Sequence, residues 1–100
     1  MLNRMLMTIN ESLLVGMSFA NQMADDETIT TSNSNGTTEV SAVDADGVVA
    51  NIIETGSMSM NGQVLQARIE EAAAGVYTVS FLAATSGGNV IEAALVVTVR

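Results

Sequence analysis

Alternation of apolar and polar positions is clearest in the last quarter of the chain. Tyr77, Val79, Phe81 and Ala83 alternate with Thr78, Ser80 and Leu82; further on, Ile91, Ala93, Leu95, Val97 and Val99 alternate with Glu92, Ala94 and Thr98. A period of two puts each set on one face of a pleated strand. Between the runs, Ser86-Gly87-Gly88-Asn89 supplies the positive-φ residues of a tight hairpin. A second hairpin is predicted over residues 57–70. Its return strand places Leu65, Ala67 and Ile69 on one side and Gln66, Arg68 and Glu70 on the other. Its turn is Asn61-Gly62, which reads as type I′, with both central residues at positive φ.

Weaker signals fill in the rest. Leu13, Val15, Met17 and Phe19 alternate with Leu14, Gly16 and Ser18, which predicts a first strand. Asp25-Asp26-Glu27 reads as a solvated polar connection. Residues 27–32 are a short threonine- and isoleucine-rich β-favouring run. Asn33-Ser34-Asn35-Gly36 and Asp44-Ala45-Asp46-Gly47 are turn signals. Residues 37–43 read as a strand or an extended loop, and the apolar run 48–53 is long enough for one strand. Residues 71–74 form a short connection, or one helical turn stopped by Gly75. About seven short strands with turn signals every eight to twelve residues indicate a two-sheet β-sandwich.

One hundred residues suffice for one domain with its own core. Residues 1–12 show no firm pattern and read as a flexible N-terminal arm before a single domain over 13–100. Arg4 and the apolar stretch 13–20 loosely resemble a signal peptide, but Asn10, Glu11 and Ser12 interrupt it. Met7 is a second candidate for the initiating residue. No apolar run approaches the roughly 20 residues of a membrane-spanning helix.

Charge narrows the partners. Eleven acidic residues face three arginines, for a net charge of −8. That balance repels phosphate and anionic lipid, so neither nucleic acid nor membrane is an expected partner. The chain has no cysteine, and therefore no disulfide or thiolate zinc site. It has no histidine, and so lacks the usual general base near neutral pH. Asp44-Ala45-Asp46-Gly47 begins like a calcium loop, but its fifth position is Val48 and its twelfth Thr55. The fifth should be an oxygen ligand and the twelfth a bidentate glutamate, so an Asx-type turn is the better reading. The adjacent acids Glu70–Glu71 and Asp25–Asp26–Glu27 point to alternate sides and do not converge on a substrate. The serines and threonines have neither histidine nor lysine to activate them. Catalysis, cofactor, metal and small-molecule substrate are therefore not expected, and contact with other proteins is.

Several of these segments together carry a family likeness. Ala74-Gly75-Val76-Tyr77, then Ala84-Thr85-Ser86-Gly87-Gly88, then Glu92-Ala93, resemble small phage virion proteins of immunoglobulin-like fold. Asp26-Glu27-Thr28-Ile29, Asp44-Ala45-Asp46-Gly47 and residues 63–69 fit the same pattern. The set looks like the phage fiber-tail adaptor family over about residues 12–100. It departs from that family at residues 71–74, where relatives often carry Gly-Gly or Gly-Thr, and in lacking an early tryptophan.

The resemblance implies an all-β, immunoglobulin-like antiparallel sandwich without catalytic residues. It would be assembled in a bacterial cytoplasm into a virion, as a symmetric homo-oligomer contacting other virion proteins at the neck, tail or fiber junction. The alternatives are a decoration protein on the phage head and a carbohydrate- or cell-surface-binding module, which exposed aromatic rings would favour. Leu13, Val15, Met17 and Phe19, with the arm before them, are the expected subunit contacts. The competing reading makes them this protein's own first strand.

Overall fold

The computed structural model describes residues 2–70 and 72–100. Met1 and Glu71 lie outside the described residues, and with Glu71 go the Glu70–Glu71 pair and the start of the 71–74 connection. In chain order the strands are β1 (Leu2–Met7), β2 (Leu13–Ser18), β3 (Ile29–Thr30), β4 (Ser32–Asn33), β5 (Gly36–Thr37), β6 (Glu39–Val43), β7 (Ser59–Asn61), β8 (Val64–Ile69), β9 (Gly75–Thr85) and β10 (Val90–Val99). One sheet runs β1-β10-β9-β3, with β6 also on β9; the other runs β2-β8-β7; β4 and β5 pair as a small separate hairpin.

β3 and β6 are two halves of one strand position. Both lie antiparallel to β9, β3 opposite Thr85 and Ala84, and β6 from Leu82 to Thr78. The residues between them leave the sheet to form the β4–β5 hairpin, which would strand a backbone donor on β9. The Thr38 side chain fills the gap: its Oγ1 accepts from Ala84 N at 2.9 Å and donates to Thr30 O. Buried backbone groups must find partners, and here a hydroxyl stands in for a missing strand residue.

Counted this way, β6-β9-β10 faces β2-β8-β7, and β1 is added parallel to β10. The third, sixth and seventh positions of the chain thus share one sheet and the second, fourth and fifth the other, which is the strand distribution of an immunoglobulin-like sandwich. Tyr77 adds a second hallmark. Near the start of β9, its hydroxyl donates to Ala73 O at 2.8 Å, closing the corner that leads into the strand. The inward residues of both sheets build the core, in which Phe19, Phe81, Met7, Leu65, Ile69, Val79 and Val97 are fully buried.

The C-terminal hairpin follows its alternation. Val79, Phe81, Ala83, Ala93, Leu95, Val97 and Val99 are buried, with Tyr77 and Ile91 packed against them at the two ends. Other expectations need correction. The stretch 1–12 is not wholly an arm: β1 pairs with β10 from Leu2↔Ala94 to Met7↔Val99, and Met7 is buried. The pattern hid this strand because Leu6, on its outer side, is exposed yet apolar.

The turn at 61–64 is not type I′. Asn61 pairs with Val64 and only Gly62 has positive φ, at 63°, so the loop is Gly62-Gln63, with glycine first as in type II′. Residues 48–53 form no continuous strand. Val49 bridges Val43 on the first sheet, then Ile53 bridges Ile69 on the second, so the run crosses from one sheet to the other.

Replacing Tyr77 with Phe removes the hydroxyl bond to Ala73 while keeping the ring. We expect a loss of about 1 kcal/mol in urea unfolding with the slope unchanged.

Candidate interaction surfaces

The four predicted contact residues lie on or just after β2, and the structure turns them inward. Met17 and Phe19 are 4% and 1% exposed, and Leu13 and Val15 are half-buried against the same core. Burial leaves Met17 and Phe19 no surface for a partner. The parts of β2 that remain accessible are its outward side chains, Leu14 among them, and its backbone edge.

At one end of the sandwich, the 24–29 loop is clamped to the C-terminal hairpin through Glu27. Expected in solvent, this carboxylate is buried. Its Oε1 accepts from Ala24 N at 3.1 Å, and its Oε2 from the Thr85 hydroxyl and from Asn89 Nδ2 at 3.2 Å. These bonds hold the Glu27 carboxyl below the usual glutamate range. Thr85 is the largest cause and Ala24 next, opposed by burial, with smaller contributions from Asn89 and the Gly87 backbone.

Gly87 is glycine for a steric reason, since a Cβ there would sit 2.6 Å from Glu27 Oε2. Gln63 Nε2 donates to Ala24 O and Glu27 O, and Asn33 Nδ2 to Thr85 O and Asn89 O. The Asp44 carboxylate is likewise occupied by its own turn, with Oδ1 accepting from Asp46 N and Val48 N. Among the described residues no three acidic side chains gather as metal ligands.

What faces solvent is in part apolar. Val48 and Val49, just past the Asp44 turn, are 60% and 75% exposed. Beside them an open groove of about 360 Å³ runs between β6 and residues 49–58; Val40, Val49, Ile53 and Met58 line it together with polar residues that include Glu39 and Glu54. On the outer face of the larger sheet, Leu6, Thr98 and Val76 form one cross-strand row, with Leu6 and Val76 exposed at its ends. Sequence reasoning took Val48 and Val49 for strand residues. The usable signal was the turn before them combined with the lack of alternation after it. The aromatic rings offer no exposed platform: Phe19 and Phe81 are buried and Tyr77 is half-buried with its hydroxyl engaged.

No known family and no curated protein matches the chain. Among solved structures it is similar to titin domain M7, at 10% identity and a TM-score of 0.48, over 97% of this chain and 86% of that one. It is also similar to the titin M3 domain, at 13% identity and a TM-score of 0.45, over 99% and 88%. The class stated above, an immunoglobulin-like β-sandwich, rests on the strand order and the Tyr77 corner of this chain itself.

Glu27 makes stability depend on pH in a defined direction. Its pKa is lowered on folding, so its contribution is full above the ordinary glutamate pKa and is lost as pH falls through the lower folded value. Urea midpoints measured from neutral to acid pH should fall less steeply for Glu27→Gln than for the parent, from a lower neutral starting point. Gly87→Ala should lower the neutral midpoint and make its acid slope resemble that of Glu27→Gln, because the added methyl displaces the carboxylate from Thr85 and Asn89.

Proposed function

We propose that this protein is a structural component of a phage virion. In this reading it is an adaptor at the neck, tail or fiber junction that works by contact, in many symmetric copies. The observation that carries the contact reading is how its polar side chains are used. Glu27, Asp44, Asn33, Thr38 and Thr85 are committed to holding loops and strand breaks, whereas Val48, Val49, Leu6 and Val76 stand in solvent. Apolar side chains at a margin and on a sheet face gain free energy when a partner covers them.

The phage assignment is supported by the family likeness of residues 12–100. Its glutamate–threonine–isoleucine and threonine–serine–glycine pieces, far apart in sequence, meet at Glu27 and Thr85. Weak contacts repeated around a ring would gain from multivalency. Purified particles from cells carrying the gene should contain the protein in a fixed ratio to the major head or tail protein, by quantitative mass spectrometry. Particles that form normally without it, and never contain it, would sink the reading. Val49→Asp should keep its unfolding midpoint within about 0.5 kcal/mol and lose most of its incorporation.

A further inference from the structure

Among the described residues, the outer strands β1, β6 and β7 of the two main sheets are blunted. On β1, Arg4 places a charge on the edge, and just beyond the strand Thr8 N is taken by the Glu11 carboxylate at 2.6 Å. β6 carries Glu39 at its start and is overlaid by the next segment, through Ala50 N to Ala42 O at 2.9 Å and Asp44 N to Val48 O at 2.8 Å. β7 has three residues, and where its line breaks Ser57 Oγ accepts from Arg68 N at 3.0 Å.

β2 is different. It pairs only with β8, and its six residues, LLVGMS, include no charge, no proline and no break in register. Charges, prolines and bulges are the usual guards on an exposed edge. Phe19 N donates to Gln63 O in continuation of the β2–β8 register, so the odd-numbered residues of β2 turn their backbone groups toward β8. Leu14, Gly16 and Ser18 therefore turn theirs outward, along an unpaired edge.

We propose that this edge pairs antiparallel with the β2 edge of a second copy, about a two-fold axis at Gly16. In that register Leu14 lies opposite the partner's Ser18 and Gly16 opposite Gly16. Each outward residue then exchanges both backbone bonds, as hydrogen-bonded antiparallel pairs do. Three features single out a second copy. A chain of net charge −8 meets its like with least repulsion along an uncharged strand. The bulky Leu14, 53% exposed, falls beside small Ser18 and Gly16. In the same register Val15 falls opposite the partner's Met17, each already packed inward on its own core, so the smaller sheet continues across the axis with its inner face unchanged. This inference deepens the contact reading by naming one partner.

The test uses the purified full chain and is independent of particle composition, so either reading can fail alone. Sedimentation equilibrium should give twice the 10.4 kDa chain mass. Leu14→Lys and Ser18→Lys, both at exposed positions, should return it to the single mass with unfolding midpoints equal to those of the parent diluted until it is monomeric, while Val76→Lys on the other sheet keeps the dimer. In the dimer the amides of Leu14, Gly16 and Ser18 should exchange with solvent at least tenfold more slowly than in Leu14→Lys. A chain monomeric to about 1 mM, a dimer that survives both β2 lysines, or fast exchange at those amides in the dimer would each overturn the proposal.

Discussion

A buried carboxylate holds one end of this molecule together. Burying a charge is unfavourable unless its lone pairs are met, and the donors that meet those of Glu27 come from two distant parts of the chain. Ala24 is three residues away, whereas Thr85 and Asn89 are 58 and 62 residues away. Gln63 ties the same loop to the β7–β8 turn. Two connections thus share one ionised group, and neither can shift without exposing it or leaving it unpaired; the third holds the backbone of the same loop. The same need fixes Gly87, whose missing side chain is the space that the carboxylate occupies.

Hydroxyl groups solve a related problem within the sheets. Two strand lines are interrupted, one by the β4–β5 hairpin and one before β7. At each break a side-chain oxygen accepts the amide that would otherwise be orphaned: Thr38 Oγ1 for Ala84 N, and Ser57 Oγ for Arg68 N. The ladder is therefore continuous in hydrogen bonding though not in backbone. Loops can be inserted into edge strands at little cost to the central β8 and β9. Thr38 and Ser57, which lack any activating base, find their use here.

How much of this was legible follows from the range of the interactions. β8, β9 and β10 are central or long and have one buried face, so period-two alternation announced them. β1 was illegible because its outer side chain Leu6 is apolar and its pairing depends on β10, almost the whole chain away. The run 48–53 misled because an apolar stretch has the same composition whether it lies in a ladder or crosses between sheets. Glu27 misled most. Nothing beside it distinguishes it from Asp25 and Asp26, and its donors lie in a hairpin that sequence reading treated as complete in itself. The strand predicted from Leu13 onward forms as β2, but alternation marks the buried side chains of an edge strand and is silent about its free backbone.

The parallel pairing of β1 with β10 has a consequence for biosynthesis. Leu2 is matched with Ala94, 92 positions later (94 − 2), and among the described residues every other ladder closes over a shorter span. During synthesis β1 emerges from the ribosome before β2 to β9, and its partner β10 follows them. Contacts that close so large a loop are slow to form. Until β10 arrives, the nascent chain presents Met5 and Met7 without the sheet that shelters them, a state open to chaperones and to neighbouring nascent copies. The order of synthesis thus makes the N-terminal strand the last piece to lock, so a finished edge at β1 reports that the whole sandwich has folded.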